Sequence, residues 1–337
     1  MLRNGLVIDS FNPLGDVRAK NIVWTPGLSR AAGQNMDFEI VAEGLHYPDG
    51  PIVLPDGALL IAETARGAIT RVWNGKSEVV ADLGGGPVGT ALGKDGALYV
   101  CNNSGSEWEE RHGRIVPVGV SQDYAGGRIE RVNVATGKSE ILFDQCGDHA
   151  LRAPKDIVFD RRGGFWFTDS GRAYARLRDH GGVYYAASGE VVEAIYPLLA
   201  PCGIGLSGEE DTLYVSDTLP GRLWAFDLLG AGQVAPPARD ADYPGRLICT
   251  LPGYQTLDSL ALDSQGRVCV ATGGHGGVTM FTPDGLHTHF PFPDLQVSNI
   301  CFGGADMRDA YITLASVGKI VKARWPVSGM KLNFGLY

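Results

Sequence analysis

Ala153-Pro154-Lys155-Asp156-Ile157-Val158-Phe159-Asp160-Arg161-Arg162-Gly163-Gly164-Phe165-Trp166-Phe167-Thr168-Asp169 is the stretch whose reading decides the fold. It reads as a turn, a buried apolar strand, a tight turn and a second apolar strand that ends in a carboxylate. Short runs rich in β-branched and aromatic residues, bounded by Pro, Gly and Asp, are strand signals. Working outward, similar copies occupy residues 47–64, 86–102, 256–272, 200–206 with 211–217, and 297–302 with 310–314. Between them lie glycine-led strands at 67–73, 127–132, 182–185, 221–226 and 277–281. A fourth strand fits around 78–80, 139–142, 191–195, 246–249 and 288–290. Four strands per unit, repeated six times, describe an all-β, six-bladed β-propeller. A stack of solenoid repeats would need a short constant period, which this chain lacks. Long helical patterns are absent, which excludes α/β folds.

Composition agrees. The 47 glycines suit a chain with many tight turns. A formal net charge of −9, with no run of Lys or Arg, argues against nucleic acid as a partner. Six dispersed cysteines form no CxxC pair and suggest no zinc knuckle. Residues 1–35 carry no apolar leader segment and no run is long enough to span a membrane. The expectation is a cytoplasmic protein with a small-molecule partner and no membrane association. The domains read as an N-terminal arm over residues 1–36 and a propeller over 37–337. An insertion at about 104–126, holding Trp108, would sit on the rim as a lid or an edge cover.

In a propeller the first strand of each blade lines the central channel, and the loops leading into those strands share one mouth. Aligned by repeat, the leading positions are Asp49, Val88, Lys155, Cys202, Asp258 and Ser298. A second ring would follow about one hairpin later: Glu63, Asn102 with Asn103, Asp169, Asp217 and Thr272. So many acids near one axis require a positive charge, supplied by a metal or by lysine. His149 and His275 are candidate acid–base or rim residues. Cys202 is a candidate nucleophile only if a base lowers its pKa, and otherwise lines the pocket. The Gly84-Gly85-Gly86 run lacks the helix and lysine of a phosphate loop.

The repeats, Cys101-Asn102-Asn103, Phe165-Trp166-Phe167-Thr168-Asp169, Asn299-Ile300-Cys301-Phe302-Gly303-Gly304 and the closing Trp325-Pro326 with Leu332-Asn333-Phe334 resemble the SMP-30/gluconolactonase/luciferin-regenerating-enzyme family. The resemblance runs from about Phe38 to Phe334. It implies a divalent cation, usually Ca2+, at the channel centre, and hydrolysis of sugar lactones or related esters. Carried over residue by residue, it places metal ligands at Asp49 and Asp217 and substrate contacts at Asn102 or Asn103. It also places Lys155, Val88 and Cys202 where the family presents metal-binding amides. The expected centre is therefore atypical and metal-free, with Ca2+ as the alternative. Lys155 between Asp49 and Asp217 would be a fixed ammonium that replaces the ion, and these three form the expected catalytic group. Asn102, Asn103, His149, Cys202, His275 and Trp108 form the expected substrate-binding set. The leading expectation is a lactonase or esterase acting on a small lactone or ester. The alternatives are a metal-independent lyase, isomerase or cyclase using Lys155, and a non-catalytic small-molecule binding protein.

Overall fold

The computed structural model describes residues 35–237 and 245–335. Most of the expected arm, residues 1–34, lies outside the described residues. Six antiparallel sheets stand around a central channel, so the expected six-bladed propeller is the fold. Blade 1 consists, from the inside outward, of Pro48–Val53, Leu59–Glu63, Ala68–Trp73 and Lys76–Asp82. Blade 2 holds Pro87–Leu92, Leu98–Asn102, Arg128–Asn133 and Lys138–Phe143. Blade 3 holds Pro154–Phe159, Phe165–Asp169, Gly181–Ala187 and Glu190–Leu198. Blade 4 holds Pro201–Leu206, Thr212–Asp217, Arg222–Gly230 and Arg246–Thr250, with Gln233–Val234 added to its third strand. Blade 5 holds Thr256–Leu262, Val268–Gly273, Gly277–Phe281 and His287–Pro291. Blade 6 is composite. Val297–Gly303, Asp309–Leu314 and Lys319–Arg324 are completed on the outside by the early strand Phe38–Ala42.

The burial pattern explains why the sequence shows apolar runs rather than alternation. The second strands of blades 1, 3 and 5 are buried at every position, because both of their faces meet a neighbouring blade. Outer strands such as Lys76–Asp82 and Lys138–Phe143 are largely exposed. The cores lie between blades. Val158, Trp166 and Tyr185 of blade 3 pack with Ile204, Val215 and Phe226 of blade 4. Phe290, Phe302 and Trp325 close the joint between blades 5 and 6. Each such aromatic contributes about 2–3 kcal/mol by its burial.

Two local devices set the channel. Four inner strands begin with proline, at Pro48, Pro87, Pro154 and Pro201, where a strand can dispense with an N–H donor. All six inner strands then shift register within the next few residues. A bulge of this kind breaks strict alternation and re-aims side chains. Below the bulges, Ile52, Leu92, Phe159, Leu206, Leu262 and Phe302 line an apolar cavity of about 110 Å³ at the far end of the channel.

The insertion forms a hairpin, Ser106–Arg111 paired with Arg114–Val120, between the second and third strands of blade 2. It reaches across to the blade 6 side. Ile115 N donates to Ser316 O at 2.8 Å. Arg114 Nη1 donates to Asp294 Oδ1 at 2.6 Å and to Ser316 Oγ at 2.9 Å. Among the described residues no helix is long and apolar enough to cross a membrane.

Candidate active site at the channel mouth

Four of the six aligned leading positions meet at the mouth. Lys155 Nζ lies 3.5 Å from Asp258 Oδ1 and 3.9 Å from Asp49 Oδ2. Cys202 Sγ lies 2.7 Å from the same Asp258 oxygen and donates to it. Asp49 Oδ1 accepts from Asn299 Nδ2 at 2.9 Å and from Gly50 N at 2.8 Å. Its other oxygen, Oδ2, is buried and has no hydrogen-bond partner. That oxygen faces the ammonium at a distance too long for a hydrogen bond. The other two ring members are structural. Val88 is buried and carries no donor. Ser298 Oγ donates to Pro48 O and meets Thr313 Oγ1.

Charge is concentrated in little water. Burial lowers the tendency of Lys155 to hold its proton, but Asp258 and Asp49 outweigh that effect and leave its pKa well above the usual lysine range. Burial pushes the Asp49 carboxyl up to about 6, with Lys155 opposing and Asp258 reinforcing the rise. Asp156, one residue beyond Lys155, is pushed up to about 8, first by burial and then by Asp49. Burial and then the Asp258 charge raise the Cys202 thiol well above its ordinary value, so it is not a thiolate. Tyr47, at the same mouth, is raised as well, first by burial and then by Asp258. Its ring packs at a tilt against Trp108 of the hairpin, centroids 4.8 Å apart.

The remaining expected residues are distributed differently. The second acid beside Lys155 is Asp258, whereas Asp217 turns into the backbone. Asp217 Oδ1 accepts from Ala200 N at 2.7 Å and Oδ2 from Leu199 N at 3.4 Å. Asp169 and Glu63 do the same for the loops ahead of their own blades. This second ring pins the turns that present the first ring. Asn102 belongs to that set too. Its Oδ1 accepts from Gly86 N and Ser104 N, while Nδ2 donates to Gly84 O and Glu130 Oε1. Asn103 Oδ1 accepts from Gly105 N, and the Asn103 carbonyl accepts from Arg172, whose guanidinium lies 4.8 Å over the Tyr124 ring. His149 sits beside Tyr184 and Glu193 of blade 3, and His275 stacks on His289 of blade 5. Trp108 meets Tyr47 beside the Lys155 cluster, whereas His149 and His275 contact residues of blades 3 and 5.

Sequence reasoning left Asp258, Asp156, Asn299 and Tyr47 out of the candidate site. Asp258 had a usable signal, its alignment with Asp49. Asp156 and Asn299 depend on the bulges, which turn consecutive residues toward the channel, and Tyr47 stands just ahead of its strand in a left-handed backbone conformation. Gly89 allows the close approach of blade 2 to Asp156, since a Cβ there would fall 2.6 Å from Asp156 Oδ1.

A hard divalent cation such as calcium takes about six to eight oxygen ligands. The mouth offers two carboxylates with an ammonium beside both, a third carboxyl, Asp156, that accepts from Ile157 N and Ile204 N, a protonated thiol and a valine. The amide nitrogen of Asn299 is turned toward Asp49. This donor set does not fit calcium while Lys155 keeps its proton. Among the described residues no group of three or more His, Cys, Asp or Glu side chains gathers in a way that could hold a metal ion.

The molecule is thus a six-bladed propeller with a polar, charged mouth above an apolar channel. The chain belongs to the SMP-30/Gluconolactonase/LRE-like family, whose model matches residues 47–316. It is 31% identical over 255 residues to a lactonase drp35 of Staphylococcus saprophyticus subsp. saprophyticus, covering 74% of this chain and 70% of that one. It is 23% identical over 325 residues to a gluconolactonase of Zymomonas mobilis subsp. mobilis, covering 87% and 83%. Among solved structures, a calcium-binding regucalcin from Agrobacterium tumefaciens shares the fold with a TM-score of 0.69 at 16% identity, covering 89% of this chain and 98% of that one.

Proposed function

We propose that the protein hydrolyses a small lactone or ester at the channel mouth, with the Lys155 ammonium serving where the family implies a metal. Membership of a family whose relatives include lactonases supports the hydrolase class. The observation that carries the finer reading is the Lys155–Asp258–Asp49 cluster with its unpartnered Asp49 oxygen. Asp258 and the Cys202 thiol hold the lysine side. The ammonium receives the substrate carbonyl and stabilises the oxyanion that forms when water attacks. Asp49 Oδ2 takes the proton from that water and returns it to the leaving alkoxide as the ring C–O bond breaks. Trp108 and Tyr47 flank the substrate. The regucalcin is a calcium-binding protein by name; the donor set here supports a metal-independent centre instead. Six unpaired cysteines fit a reducing, cytoplasmic setting.

The test joins Lys155→Met to metal analysis. Loss of one oxyanion donor lowers kcat by about 10²–10³-fold, and chelation leaves wild-type turnover unchanged. Stoichiometric calcium in the active protein, or a fully active Lys155→Met, refutes the metal-free centre. The same ammonium bracketed by acids would also serve an enolate in a lyase or isomerase. Turnover in ¹⁸O-labelled water separates these, since hydrolysis places one non-exchanging label in a product carboxylate and an isomerase or a lyase that adds no water forms no such group.

A further inference from the structure

The mouth face carries an arc of exposed apolar side chains that the catalytic cluster does not use. Leu177, Leu199, Leu219, Tyr254 and Leu295 are between 41% and 75% exposed. Each lies in a loop that either joins the outer strand of one blade to the inner strand of the next or joins second to third strands. In a propeller all such loops open on the mouth side. Backbone contacts string the five together. Arg178 Nε, next to Leu177, donates to Leu199 O at 3.1 Å. Thr218 N, next to Leu219, donates to Ala200 O at 2.9 Å. Gly221 packs so closely on the Tyr254 loop that a Cβ there would fall 2.7 Å from Gln255 O. Gly274 N donates to Leu295 O, and a Cβ on Gly274 would fall 2.7 Å from Tyr254 O. The loops that carry these side chains therefore neighbour one another in turn from blade 3 to blade 6. The arc ends beside Asp294, the residue on which the hairpin is latched through Arg114.

Large exposed apolar patches mark binding surfaces. This one borders the way into the Lys155 cluster on the side of blades 3 to 6. The fitting occupant is one that arrives with each turnover. We infer that the substrate is a lactone or ester bearing a hydrocarbon substituent, whose chain lies on the arc while its carbonyl reaches Lys155. The neutral ring positions Val88 and Cys202 suit such a substrate better than a polyhydroxylated one. The net charge of −9 also disfavours an anionic membrane as the occupant. This inference rests on the hydrolase reading for the identity of the reacting group, but the arc itself can be tested separately.

The experiment is a γ-lactone series with side chains from none to hexyl, run on the wild type and on a Leu177→Ser, Leu219→Ser, Tyr254→Ser triple variant. In parallel, calorimetry follows binding of 2-alkylcyclopentanones, which share the ring carbonyl but cannot be hydrolysed. Full burial of a methylene corresponds to about fourfold in affinity, and a half-covered chain to about twofold. The expected wild-type kcat/KM rises about twofold per methylene. In the triple variant the rise flattens, while turnover of γ-butyrolactone is retained. Turnover of γ-butyrolactone with a flat series overturns the inference and leaves the hydrolase reading intact. No turnover of any lactone, with cyclopentanone affinity that still rises with chain length and is lost in the variant, overturns the hydrolase reading and supports the arc. A steep series that is unchanged in the triple variant overturns the arc as the site of the chain.

Discussion

Replacing Asp156 by Asn should remove most of the pH dependence of stability between about pH 6 and about pH 8. Asp156 is nearly buried, follows Lys155 directly and is pushed from 3.8 to about 8 in the fold. A carboxyl raised on folding binds a proton in the native state that the unfolded chain has already lost. Its contribution is complete below the unfolded value and declines as pH rises toward the folded value. Each pH unit in that window corresponds to about 1.4 kcal/mol. Asp49 adds its own decline only up to about pH 6, so above that Asp156 acts alone of the pair. The wild type should therefore lose about 2 kcal/mol from this group between the two pH values. Asn copies the neutral carboxyl in shape and cannot ionise. Urea unfolding of both proteins at both pH values measures the difference, in which the histidines and all other common groups cancel. Equal losses in wild type and variant would refute the claim that Asp156 is held neutral.

Further consequences concern turnover. The wild-type kcat/KM should rise with pH through an apparent value near 6, where Asp49 ionises, and Asp49→Asn should be reduced by at least about 10²-fold with that limb absent; an unchanged limb assigns it to another group. Cys202→Ala should keep kcat within about threefold, because a buried thiol of high pKa is no nucleophile; loss of activity to iodoacetamide in the wild type but not in the variant would contradict this. Arg114→Met removes the hairpin's ionic latch on Asp294, whose carboxylate stays bonded to Ser316 N and Gln296 N, and leaves the bond from Ile115 N to Ser316 O. KM should rise roughly tenfold, the scale of one charge-assisted hydrogen bond, with kcat nearly unchanged; a reversed pattern removes the hairpin from substrate capture.

The repeats made the propeller legible because each inner strand pair is buried on both faces, leaving apolar runs at similar spacing. The first ring was legible for a related reason. A proline or apolar residue marks where each inner strand begins, and the next residue faces the mouth, so Asp49, Lys155, Cys202 and Asp258 align. The second ring aligned equally well yet serves a different purpose. Asp217 and Asn102 stand at strand ends beside loops full of unpaired amides, and a short polar side chain bonds those amides before it can reach the axis. Alignment gives a residue's place in its blade but not its distance from the centre, which is also why His149 and His275 could not be placed. The bulges hid Asp156 and Asn299, since a reader counting by twos expects neighbours of Lys155 and Ser298 to point away.

The composite sixth blade has a consequence for biosynthesis. The strand Phe38–Ala42 leaves the ribosome before any blade can form, yet its partner Lys319–Arg324 is made only after the strands of the other five blades. While the other five blades are made it has no lateral neighbour, and the ring cannot close until the sixth blade emerges. Unpaired strand edges invite association with other nascent chains. Here the early strand carries Glu39 and is followed by Glu43, which find Lys322 and Lys319 only when the circle is complete. Acidic residues at that edge repel identical copies during the wait and then help to select the one correct partner.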